Sequence, residues 1–208
     1  KGQFVETSLL ESGLSYTIWE SGIYFATQEI SSQSGTAHRL SAPYQAFKTN
    51  DGYINIGAAN QANWEKLCHA INKPEFITKE EYLDNSSRME NIDQLVNLLN
   101  QEFELRTTSE WVEILISAGV PCGPILNMHE VLNHEQIKDR ETVIDLNHTK
   151  LGKIQNLSFP IKFSENPQSL KLPPPLLGEH NDEILKDLGY SDKEISELKS
   201  ESVITQSN

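Results

Sequence analysis

Two polar, proline-bearing stretches limit how this chain of 208 residues can be arranged. The first, residues 31–43, reads SSQSGTAHRLSAP, and its Pro43 pushes Ala42 towards extended backbone. The second, residues 164–178, reads SENPQSLKLPPPLLG, and the successive prolines Pro173, Pro174 and Pro175 predict a stiff polyproline II run. Both read as traverses between packed parts. The chain is thereby divided into residues 1–30 with helical apolar spacing, residues 44–163 with both strand and helix patterns, and residues 179–208, helical again. If the two outer parts pack on one further body, the chain has left that body and returned to it.

Residues 44–163 carry an α+β pattern. Tyr44 to Phe47 and Tyr53 to Ile56 read as short strands joined at Asn50-Asp51-Gly52, where Asp-Gly is expected to supply the positive-φ residue of a hairpin. Asn60 is placed to cap a helix whose Trp64, Leu67, Cys68 and Ile71 share an inward face. A second helix is expected through Met89, Ile92, Leu95, Val96, Leu99 and Phe103, and a third from the capping box Thr107-x-x-Glu110 to a stop at Gly119. Pro121 and Pro124 exclude helix from VPCGPI. A short helix near Met128 to Leu132 follows, then strand-like pieces at Val143 to Leu146, Ile154 to Leu157 and Ile161 to Phe163, with a turn near Gly152. Outside this unit, Phe4 to Thr7 is strand-like and Leu9, Leu10, Leu14, Ile18 and Trp19 read as one helix. Near the other end, Ile184, Leu185 and Leu188 form a helix stopped by Gly189, and the capping box Ser191-x-x-Glu194 opens another.

Gly57, Ala58 and Ala59 stand between the hairpin and the Asn60 cap with almost no side chain. Bare backbone there lets a ligand approach, and the first N–H groups of a helix suit an oxygen carrying negative charge. A tight strand-to-helix connection with no ligand explains the same residues. Both readings stand on the local pattern.

A formal net charge of -13 and a sequence pI near 4.8 disfavour a nucleic-acid partner, because phosphate neutralisation needs clustered Lys and Arg and the 17 present are scattered. No apolar run is long enough to span a membrane, and the expected location is cytoplasmic. Cys68 and Cys122 lie far apart, which suggests buried thiols, and the spacing of the six His residues matches no metal-ligand pattern. No metal is expected. The opening Lys1, with strand and helix patterns following at once, predicts that the chain is the later part of a longer protein.

Four motifs, GQFVETSLLES, SAPYQAFKTNDGYINIGAANQANWEKLC, AGVPCGPILNMHEVL and LLGEHNDEILKDLGYSDKEI, occur in order along essentially the whole chain. Together they resemble the family III (CaiB/BaiF-type) CoA-transferases, which include formyl-CoA:oxalate, carnitine and succinyl-CoA-dependent enzymes, with acyl-CoA racemases as a side branch. The resemblance implies an α/β fold: a small α+β domain, here 44–163, inserted in a Rossmann-like large domain to which helices in 1–30 and 179–208 belong. It implies an interlaced homodimer, with acyl-CoA and a carboxylic acid as substrates and no further cofactor. CoA passes from an acyl-CoA donor to the acid through aspartyl anhydride and aspartyl-CoA thioester intermediates. The nucleophilic aspartate precedes the family's G-Q-x-V-D/E motif, which begins here at Gly2, so no catalytic residue is expected in this chain and the chain alone is expected to be inactive.

At the place of Gly57, Ala58, Ala59, Asn60 and Gln61 the family carries a glycine-rich loop that closes over the aspartate. Ala58, Ala59 and Asn60 depart from an all-glycine loop and suggest a stiffer one. The racemase branch tends to carry Glu at the place of Asn60, and an amide cannot exchange that proton, which favours transfer over racemisation. The alternatives are a racemase or epimerase of the same superfamily, and a non-catalytic acyl-CoA-binding or dimerisation module. His38 and Arg39 lie in the linker that the resemblance places near the active site, where they are candidates for holding a carboxylate or phosphate. Glu11 and Glu20 share no clear helix face and read as a solvated edge; His180 reads as a helix-start residue.

Overall fold

Alternation builds the hairpin. In the computed structural model, which describes residues 2–166, 170 and 172–204, β1 (Tyr44–Lys48) pairs antiparallel with β2 (Tyr53–Gly57) in a register that sets Phe47 opposite Ile54. Phe47, Ile54 and Ile56 are buried while Tyr53 and Asn55 face outward, as the period of two requires. The turn departs from expectation. No residue of it has positive φ; instead Thr49 N–H donates to the Gly52 carbonyl at 3.0 Å and Gly52 N–H to Thr49 Oγ1 at 3.1 Å. Space is tight there, since a Cβ at Gly52 would stand 3.2 Å from Thr108 Oγ1.

The chain forms two units, Lys1–Ile125 and Leu126–Asn208. In the first, α1 (Leu9–Ser15) and α2 (Ile18–Thr27) bury no residue, and Leu9 is 95% exposed. The single opening helix expected is thus two, because Thr17 Oγ1 donates back to the Leu14 carbonyl at 2.8 Å and competes with helix continuation. Phe4 to Thr7 is not a strand; no partner strand lies beside it among the described residues. After the hairpin, α3 (Gln61–Ala70) turns Trp64, Leu67 and Cys68 into the core, and two 3₁₀ turns, Pro74–Ile77 and Glu80–Tyr82, add Phe76 and Tyr82.

The helix expected through Met89 and Phe103 is also broken, into α4 (Asn85–Glu90) and α5 (Ile92–Phe103). At the break Asn91 Nδ2 donates to the Ser87 carbonyl at 2.9 Å and to the Glu81 carbonyl at 3.3 Å, taking up groups that a continuous helix would use differently. The capping box of α6 (Thr108–Ser117) forms as expected, and Gly119 follows with φ +71°. Between the two prolines the chain is extended: β3 (Cys122–Pro124) pairs antiparallel with β2 and makes a three-stranded sheet in the order β1-β2-β3. Leu95, Leu99, Phe103, Trp111 and Leu115 pack over its inner face with Phe47, Ile54 and Ile56.

In the second unit a capping box, Asn127 with Glu130, opens α7 (Met128–Asn133), and α8 (Glu135–Asp139) follows. The hairpin β4 (Val143–His148) and β5 (Gly152–Leu157) turns at Gly152, whose φ is +70°. Ile161 to Phe163 does not form the expected strand; Pro160 before it has no N–H to give a ladder. Of the second linker, residues 167–169 and 171 lie outside the described residues. Helices α9 (Asn181–Asp187) and α10 (Asp192–Ser200) complete the unit, with the Ser191–Glu194 capping box in place and Lys199 Nζ 2.7 Å from Asp182 Oδ2. No helix among the described residues is long and apolar enough to cross a membrane.

Candidate active-site loop

The loop from Gly57 to Gln61 leaves the end of the central strand β2 and enters α3. Gly57 N–H donates to the Pro121 carbonyl at 2.8 Å and Ala58 N–H to the Pro43 carbonyl at 2.9 Å, so both are spent on the chain itself. Ala58 is fully buried, whereas Asn60 and Gln61 are exposed. Asn60 Oδ1 accepts from Asn63 N–H at 2.8 Å, which is the expected cap, and leaves the N–H groups of Gln61 and Ala62 at the open end of the helix. A Cβ at Gly57 would meet Pro121 Cβ and Tyr44 Cε2 at 3.7 Å, an ordinary contact, and its φ is not positive. Nothing among the described residues demands glycine at that position.

His38 and Arg39 stand together in the linker. The His38 ring stacks on Tyr44 with centroids 5.2 Å apart, and its Nδ1 accepts from Leu40 N–H at 3.1 Å. Arg39 Nη1 donates to Glu20 Oε2 at 2.6 Å and to Ser31 Oγ at 3.1 Å. The Ser31 hydroxyl first, and then Arg39, hold the Glu20 carboxyl below its usual range. Glu20 thus stands at a solvated edge as expected, and is engaged there by Ser31 and Arg39. Trp19, Glu20, His38, Arg39 and Tyr44 line an open depression of about 500 Å³. His180 begins α9 without a side-chain cap and lies 3.6 Å from Glu183.

Arg88 was not singled out by sequence reasoning. It is 1% exposed, and its guanidinium donates to the carbonyl oxygens of Ala42 at 2.7 Å, Tyr82 at 3.1 Å and Ala59 at 3.4 Å, and to Gln61 Oε1 at 3.1 Å. Its Cζ lies 5.1 Å from the Trp64 ring centre. A signal for it exists: Arg88 continues backwards the apolar stripe of Ile92, Leu95 and Leu99, at an inward position where a charge is out of place. Cys68 is buried beside this cluster, and burial pushes its thiol up to about 12, which makes it inert packing rather than a nucleophile.

The fold and the loop define an α+β module built on a short antiparallel sheet with helices, within a mixed α/β chain. The profile of CoA-transferase family III matches residues 1–181, and the chain belongs to that family. Succinyl-CoA:glutarate CoA-transferase from Homo sapiens is 37% identical over 207 residues, which is 99% of this chain and 47% of that protein. Formyl-CoA:oxalate CoA-transferase from Rhodopseudomonas palustris (strain BisA53) is 35% identical over 136 residues, 65% of this chain and 32% of that protein. Among solved structures, a CAIB/BAIF family protein from Brucella suis is similar with a TM-score of 0.75 at 28% identity, over 90% of this chain and 48% of that one. The chain spans about half the length of the curated relatives it matches.

Proposed function

We propose that the protein to which this chain belongs is a CoA-transferase that moves CoA from an acyl-CoA donor to a carboxylic acid acceptor. The observation that carries the reading is the match to a CoA-transferase along 99% of the chain. An aspartate carboxylate, supplied from outside these residues, attacks the donor thioester carbonyl and expels CoA thiolate, leaving a mixed anhydride. The thiolate then attacks the aspartyl carbonyl, releases the donor acid and forms aspartyl-CoA thioester. The acceptor carboxylate repeats both steps in reverse order, and the aspartate is regenerated. No redox step and no resident cofactor is involved.

In this scheme Gly57 to Gln61 cover the aspartate and keep water from the anhydride and thioester, both of which hydrolyse. Two observations support that role: Asn60 and Gln61 at the end of the loop are exposed, and neither φ nor crowding among the described residues calls for glycine at 57. Asn60 carries an amide, which has no proton to exchange with an acyl α-carbon, and this supports transfer over racemisation. His38 and Arg39 hold the acceptor carboxylate, which replaces Glu20 on the Arg39 fork. Residues 44–163 act as the small domain, and two copies interlace.

The test is an assay of the protein carrying this chain with succinyl-CoA and glutarate, then with other acyl-CoA and dicarboxylate pairs. Transfer with ping-pong kinetics is expected, together with none from the 208-residue chain alone. Epimerisation of a chiral acyl-CoA without transfer to any acid, or transfer by the 208-residue chain at an ordinary enzymatic rate, overturns the reading.

A further inference from the structure

We propose that Arg88 is a positioning residue that aims the backbone of the candidate active-site loop, an inference that rests on the reading of Gly57 to Gln61 as the cover of the reacting acyl group. A cation that is 1% exposed, with no carboxylate in ion-pair contact among the described residues, is expensive to bury, and a Leu or Met would fill the same core position more cheaply. What the guanidinium supplies instead is geometry.

Its four acceptors come from three separate places: Ala42 at the end of the linker, Ala59 and Gln61 in the loop, and Tyr82 in a 3₁₀ turn. A flat, five-donor fork reaches all of them at once from a place over the Trp64 ring, and an ammonium on a flexible stem does not. The effect on the loop follows from the peptide unit. The Ala59–Asn60 bond is trans, so turning the Ala59 carbonyl inward to Arg88 turns the Asn60 N–H to the opposite side, away from the core. Among the described residues no acceptor takes that N–H. Gln61 is fixed in the same way. With Oε1 on Arg88, its Nε2 is directed to Glu65 Oε1 at 3.2 Å. Arg88 thus sets which donors the loop offers outward, and touches no substrate itself.

The experiment uses the protein that carries this chain, with Arg88→Lys, Gln61→Ala and Glu65→Ala variants. For each, thermal stability, hydrogen exchange at the bonded amides of Gly57, Ala58 and Asn63, kcat and the KM for acyl-CoA are measured. Arg88→Lys keeps the charge and loses the fork; it is expected to raise loop exchange and lower kcat by roughly tenfold each, with KM changed less than about threefold. Gln61→Ala removes one Arg88 contact from an exposed position, so it decides the matter if Arg88→Lys fails to fold. It is expected to loosen the loop and lower kcat in the same sense. Glu65→Ala removes only the other partner of Gln61 and is expected to change neither.

Loop exchange unaltered in Arg88→Lys and Gln61→Ala overturns the positioning role and leaves the placement of the loop untouched. A loosened loop with unchanged kcat overturns it differently, because the fault then lies in placing Gly57 to Gln61 over the reaction. Equal effects from Glu65→Ala and Gln61→Ala also overturn it, since Arg88 would then be irrelevant to the change.

Discussion

Asp51, in the turn between β1 and β2, accepts from Thr108 twice: Oδ1 lies 2.8 Å from the backbone N and 2.9 Å from Oγ1. The turn is therefore seated on the first residue of α6, where helix N–H groups lack partners and a negative charge is favoured. The backbone bond from Thr108, and then its hydroxyl, hold the Asp51 carboxyl below its usual range. A depressed folded-state pKa means that the contribution is present above the unfolded value, near 3.9, and is lost as pH falls through the folded one. Asp51→Asn keeps an acceptor for Thr108 and removes the charge. The thermal midpoint of the parent chain should fall more steeply than that of Asp51→Asn below about pH 4; parallel profiles would refute the assignment.

Asn60 separates stability from chemistry. Asn60→Ala removes the cap on Asn63 N–H and should cost about 1 kcal/mol of stability. Asn60→Asp keeps a cap but places a negative charge where, in the proposed reaction, an oxyanion develops, so kcat should drop with little change in acyl-CoA KM. Asn60→Gly should be the mildest of the three. If Asn60→Asp leaves kcat intact, the loop does not meet the reacting carbonyl.

Protection from hydrogen exchange should divide the first unit. Amides of α1 and α2, which bury no side chain, should exchange at least about a hundredfold faster in the isolated chain than those of α5 and α6, whose Leu95, Leu99, Phe103 and Leu115 are fully enclosed. Comparable protection would mean that α1 and α2 share the core.

Cys68 should resist alkylation. With its thiol raised to about 12 and no exposed surface, it holds almost no thiolate at neutral pH. A maleimide or disulfide reagent at pH 7 should label Cys122, which is half-buried, well before Cys68. Rapid labelling of Cys68 in the folded chain would show that the Trp64 helix opens readily.

Features that depend on neighbours in the chain were legible in the sequence. The caps at Asn60, Thr107 and Ser191, the stops at Gly119 and Gly189 and the inward face of α3 are all local matters of donors, φ and spacing. Misread features depended on competition or on distance. Asn91 and Thr17 break helices because their side chains take backbone carbonyls, an outcome that apolar spacing does not report. Gly52 is crowded by Thr108, which no turn rule contains, and β3 was visible only as non-helical because its partner lies far back in the chain. At the candidate site the small-residue loop could be found from its pattern, but its purpose rested on family resemblance. Arg88 needed the fold, since its acceptors are scattered from Ala42 to Tyr82.

The middle strand of the sheet is completed out of order. β2 gains one neighbour at once from β1, but its other edge waits for Cys122–Pro124, after all of α3 to α6 has been made. During synthesis, then, the hairpin leaves the ribosome with one edge of β2 unpaired, and the helices that cover Ile54 and Ile56 on its inner face precede the strand that seals that edge. Every nascent chain that has released β2 but not Cys122–Pro124 carries the open edge, and Pro121 and Pro124, which have no N–H to give, keep the closing strand short.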